Sequence, residues 1–72
     1  MAGMTEYQVV DLRDQINPMT PVQATSPEDA ATKVLGIAVF RSGRRPDLVA
    51  RVYWNSAEAR NMVRLYSVPA ER

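Results

Sequence analysis

Thr25-Ser26-Pro27-Glu28-Asp29-Ala30-Ala31-Thr32-Lys33-Val34-Leu35-Gly36 is the stretch whose reading decides the fold. Ser26 offers a hydroxyl oxygen to the unpaired N–H groups of a helix start, and Pro27 suits the first helical position. Glu28 and Asp29 then place carboxylates at the positive end of the helix dipole. Thr25 with Glu28 three residues on also matches a capping box, which leaves the cap at 25 or 26. Ala31, Val34 and Leu35 recur at helical spacing and make a narrow apolar stripe. Lys33 in the last turn and Gly36 beyond it mark the C-terminus. A helix of about two and a half turns is too short to persist in water, so it must lie on a sheet.

The flanking segments supply that sheet. Met4–Arg13 carries Tyr7, Val9, Val10 and Leu12 and predicts a strand, with Gln8, Val10 and Leu12 on one face and Tyr7, Val9 and Asp11 on the other. Asp14-Gln15-Ile16-Asn17-Pro18 predicts a turn, because the residue before a proline is driven out of the helical region. Met19–Thr25 predicts a short second strand hairpinned onto the first. Pro18 and Pro21 lack backbone donors, so that strand suits an edge. Downstream, Ile37–Arg41 reads as a strand, Ser42–Asp47 as a loop, and Leu48–Trp54 as a strand with clean alternation. Leu48, Ala50, Val52 and Trp54 share one of its faces; Val49, Arg51 and Tyr53 share the other.

Residues 55–66 carry two patterns. Ala59, Met62, Val63 and Tyr66 match helical spacing with Ser56 as a cap, whereas Met62–Val68 reads as a strand with Val63 and Leu65 inward. The β-rich end of the segment makes the strand the expectation. The expected fold is therefore α+β: a two-layer sandwich of a mainly antiparallel sheet, three to five strands, with one short helix on one face. The order is strand, optional strand, helix, then a three-strand meander. A single domain spans 1–72, with 1–3 and 69–72 expected to fray. Phe40 and Trp54 sit in strand-forming apolar runs and are expected in the core.

A chain of 72 residues buries only about 60% of the surface its unfolded form exposes, and small domains often add disulfides, a metal or a partner. The sequence has no cysteine and no histidine, which removes a disulfide framework, a thiolate zinc site and the commonest general base. Self-association, as a homodimer, is the route left open. No apolar run is long enough for a membrane span, and no basic segment leads into an apolar one at the start; a cytoplasmic location is the expectation. The net charge of +1 hides a division: one basic against five acidic residues over 1–32, eight basic against three acidic over 33–72. Such a split fits a basic binding face, or two halves that pack with complementary charge.

Catalysis finds no residues to carry it. Without histidine or cysteine the usual nucleophile–base pairs cannot form, and the three glycines make neither a dinucleotide fingerprint nor a phosphate loop. Asp11 and Asp14 are a paired-carboxylate candidate whose plain reading is a solvated strand end. The expectation is a non-enzyme with no cofactor and no metal.

Binding has more support. Arg41, Arg44 and Arg45 gather three guanidinium groups around a loop tip, suited to phosphates or carboxylates, against the plain reading of a solvated loop. Arg51 with Tyr53, and Arg64 with Tyr66, put two Arg-x-Tyr steps on neighbouring strands facing away from the helix. That face fits a protein interface, a surface for nucleic acid, or cross-strand pairs that merely cover the sheet. The expected function is a small interaction module that self-associates or docks onto a larger protein through this face, with no membrane contact. Nucleic-acid binding through the same residues is the alternative, and an accessory subunit completing a partner's active site is a third reading.

Overall fold

The structure, a computed structural model, describes residues 4–13, 19–56 and 58–69. The turn expected at Asp14–Pro18 and the ends at 1–3 and 70–72 lie outside the described residues. Four strands, β1 (Thr5–Asp11), β2 (Met19–Ala24), β3 (Leu48–Asn55) and β4 (Arg60–Tyr66), form one antiparallel sheet in the order β2-β1-β3-β4. One helix, α1 (Pro27–Leu35), packs on one face, so the chain is a small α+β fold as the sequence predicts.

The helix forms where its punctuation places it. Ser26 is the cap: its Oγ accepts from the Asp29 N–H at 3.0 Å, and the Asp29 carboxylate in turn accepts from the Thr25 N–H at 3.2 Å. Gly36 ends the helix at φ 78°, a left-handed conformation that glycine adopts without a Cβ penalty, and returns its N–H to the Thr32 carbonyl. Arg13 donates from Nη2 to the Leu35 carbonyl, supplying a partner for one of the unsatisfied carbonyls of the last turn.

Between sheet and helix lies the core. Val9, Val52 and Leu65 are its largest fully buried side chains, and Ala30 and Ala31 of α1 meet Ala24 and Ala50 of the sheet in the same cluster. Methyl groups on both sides let the helix approach closely. Tyr7 and Trp54 close one end of the core edge to face, with ring centroids 5.4 Å apart.

Three local readings change. Ile37–Arg41 is not a strand: only Phe40 bridges, exchanging both backbone hydrogen bonds with Tyr66 beyond the outer edge of β4. β3 already has β1 and β4 on its two sides, so no position beside it remains for a third meander strand. Phe40 is accordingly 37% exposed instead of core. The second change is at the start of β3, where the register slips between Leu48 and Ala50. A bulge sets two residues of one strand against one of the other and re-aims the side chains. Leu48 therefore pairs with Tyr66 on the face away from α1, while Val49 is buried in the core. Third, the segment of double pattern is a strand, but it begins at Arg60. Ser56 does not cap a helix; its N–H donates to the Ala59 carbonyl at 2.8 Å and closes the β3–β4 hairpin.

Candidate functional site

The face of the sheet opposite α1 has no element packed on it among the described residues. Register fixes what it displays. Val10 lies between Met19 and Arg51, and Arg51 lies directly opposite Arg64. One step along, Gln8 and Met62 flank Tyr53; one step further, Asn55 pairs with Arg60. At the other end the bulge brings Leu48 beside Tyr66.

These residues enclose a shallow concavity of about 680 Å³ lined by Arg45, Leu48, Arg51, Arg64 and Tyr66. Arg45 arrives from a 3-10 turn (Arg45–Asp47) that leads straight into β3, where Pro46 presets the backbone and the Asp47 N–H donates to the Arg44 carbonyl. Among the described residues no carboxylate forms an ion pair with Arg45, Arg51 or Arg64. The Nε of Arg51 is shut off from solvent and has no hydrogen-bond partner among the described residues. A half-desolvated guanidinium facing a second arginine across the strand pair is unfavourable twice over, through an unmade hydrogen bond and through like-charge repulsion. Anions relieve the repulsion.

At the far end of the β3–β4 hairpin, the Arg60 guanidinium stands 5.2 Å from the centroid of the Tyr53 ring. A planar cation over an aromatic face is a favourable contact of under about 1 kcal/mol when exposed.

Of the residues singled out in the sequence, Arg45, Arg51, Arg64 and Tyr66 come together in one concavity, and Tyr53 lies on the same face beyond them. Arg44 is exposed just before the 3-10 turn and does not line the concavity. Arg41 is turned elsewhere: it pairs with Glu28 in the first turn of α1 through both its Nε and Nη2. The Arg41 hydrogen bond holds the Glu28 carboxyl below its ordinary range. Asp11, one of the carboxylate candidates, is likewise engaged, 3.2 Å from Arg13 Nε; Asp14 lies outside the described residues. Sequence reasoning missed Arg60 and Leu48. Arg60 followed from the two-residue step back from Met62, but the hairpin turn was needed to extend β4 that far. Leu48 had no signal, because alternation points it at the helix and only the bulge reverses it.

Among the described residues no cluster of three or more carboxylates suits a metal ion, and no helix is long and apolar enough to cross a membrane. No family model, curated protein or solved structure matches this chain.

The repulsion between Arg51 and Arg64 gives a direct measurement. Arg64→Thr is expected to raise the stability measured by urea denaturation by about 0.5 kcal/mol in low salt, since it removes a like-charge cross-strand pair and inserts a good strand former. The gain should shrink as salt screens the pair. A loss of stability would mean that Arg64 supports the fold and that the arginines merely cover the sheet.

Proposed function

We propose that this chain is a non-catalytic binding module that docks an anionic macromolecular partner onto the open face of its sheet. The observation that carries the reading is the convergence of Arg45, Arg51 and Arg64 on one concavity with no carboxylate paired to them among the described residues. Met19 and Met62 on the same face, 51% and 40% exposed, supply adaptable apolar contact beside the charges. Arginine and tyrosine are the residues that most often anchor interfaces.

Charge argues against self-association as the use of this face. A two-fold interface sets the same patch against itself. By register, the open face offers, among the described strand residues, Glu6 as its one carboxylate against Arg51, Arg60 and Arg64. Stacking two such faces would bury like charges against each other. An acidic protein surface or a polyphosphate backbone meets the same face with complementary charge. The absence of histidine and cysteine supports a role without chemistry of its own, and the absence of cysteine supports a reducing, cytoplasmic setting.

Heparin, as a generic polyanion, tests the reading in an NMR titration of the whole chain. Backbone resonances of Arg51, Tyr53, Arg64 and Tyr66 are expected to move while those of Ala30 and Ala31 in α1 stay in place. Shifts centred on α1, or none at all, would refute an anion-docking sheet face.

A further inference from the structure

We propose that the anionic partner is a single-stranded nucleic acid, bound along the β3–β4 hairpin by alternating arginine and tyrosine. The proposal rests on the docking reading above and names its occupant.

The geometry that carries it is a linear alternation. Running along the open face of the hairpin, the rows are Arg60, then Tyr53, then Arg51 opposite Arg64, then Tyr66, with Arg45 closing the end. Successive rows are two residues apart along a strand, so charged and aromatic groups recur about every 7 Å. From Arg60 to Tyr66 the stripe is about 20 Å long. An extended single strand can use such a stripe, some of its phosphates meeting the charged rows and unpaired bases stacking on the rings between them. A protein partner would not call for alternation. Acidic side chains on a helix or loop are met equally well by clustered arginines, and aromatic anchors group at the centre of protein interfaces.

Two further observations agree. Arg60 lies over the Tyr53 ring, 5.2 Å from its centroid, and Arg60 is exposed, so its guanidinium can swing from the ring to a phosphate. The Arg51–Arg64 row sets two arginines directly opposite each other on the strand pair, with no carboxylate paired to them among the described residues. A phosphate between them accepts from both and ends their repulsion. Unpaired bases are needed, because a paired duplex hides its base faces from a flat sheet. Nothing in the stripe reads base edges in a fixed pattern, so weak sequence preference is expected.

The experiment is an NMR titration of the full chain with a short oligouridylate, in parallel with polyglutamate and with inorganic phosphate. The proposal expects oligouridylate to shift Arg51, Tyr53, Arg64 and Tyr66. The logarithm of affinity should fall against the logarithm of salt with a slope near −2, about −0.7 for each of three phosphates. Tyr53→Leu is expected to weaken binding about tenfold, the loss of one stacked base. Arg64→Gln should weaken it and flatten the salt slope, by at most about 0.7 since Arg51 remains in the same row. Both variants are at or near the surface, and their own spectra report whether the fold is kept.

Polyglutamate shifting these residues while oligouridylate does not would overturn the nucleic-acid assignment and leave anion docking standing. Phosphate acting at Arg51 and Arg64 alone, with Tyr53→Leu without effect on oligouridylate, would overturn it too, since the rings would then take no base. If none of the three probes moves the face, both this inference and the docking reading fail.

Discussion

Leu65→Ala is expected to destabilise the protein by about 3 kcal/mol. Leu65 is fully buried, and with Val9 and Val52 it is one of the largest fully buried side chains among the described residues. Its neighbour across the sheet, Ala50, carries a single methyl, and Ala30 and Ala31 of α1 belong to the same core cluster. None of these can extend into the space that truncation would open. Leucine-to-alanine changes at such sites cost about 2–5 kcal/mol, more where the surroundings cannot collapse. A domain of 72 residues has a total stability of about 4–11 kcal/mol, so the loss takes a large share. Urea denaturation followed by the fluorescence of Trp54, the sole tryptophan, measures it directly. A loss under about 1 kcal/mol would show that β4 does not pack under the helix as described.

Gly43→Ala is expected to have the second largest effect, about 2 kcal/mol of stability together with displacement of the Tyr66 ring. The reason is space, not backbone conformation. A Cβ at position 43 would sit 2.5 Å from Tyr66 Cβ, 2.6 Å from Tyr66 Cγ and 2.7 Å from the Val68 carbonyl oxygen. Those neighbours are the root of a side chain and a backbone atom, and neither can swing aside. The loop after Phe40 must lift from the end of β4, which strains the Phe40–Tyr66 bridge, or Tyr66 must leave the concavity it lines. Either response registers at Tyr66, against which Gly43 is packed. The amide shift of Tyr66 and the urea midpoint of the variant report the two parts. If both match the parent chain, the loop does not lie against β4, and the shape of the concavity would have to be redrawn.

The local signals held because they depend on neighbouring residues. Ser26, Pro27, Asp29 and Gly36 each act within one turn of α1, through hydrogen bonds and dihedral preferences that need no distant partner. The alternation of Ala50, Val52 and Trp54 likewise follows from the pleat of one strand, and it placed Arg51 and Tyr53 on the face away from the helix before any pairing was known. Strand β4 was legible in kind but not in extent, because its first residues are ordered by the hairpin turn through Ser56 and Ala59.

By itself, then, the sequence determined the α+β class and the helix, with its start at Thr25 or Ser26 and its end at Gly36, and it offered an arginine–tyrosine face that depended on the last segment being a strand. Tertiary structure alone decided three matters that local physics cannot reach. Sheet order excluded Ile37–Arg41 from pairing with β3, because a strand has two sides and β1 and β4 hold both. The bulge at Leu48 turned that residue to the open face, a register choice settled by how β3 meets β4 and not by alternation within β3. And the arginine loop was divided, Arg41 going to Glu28 on the helix side and Arg45 to the concavity, since the fold sets which charge each guanidinium can reach.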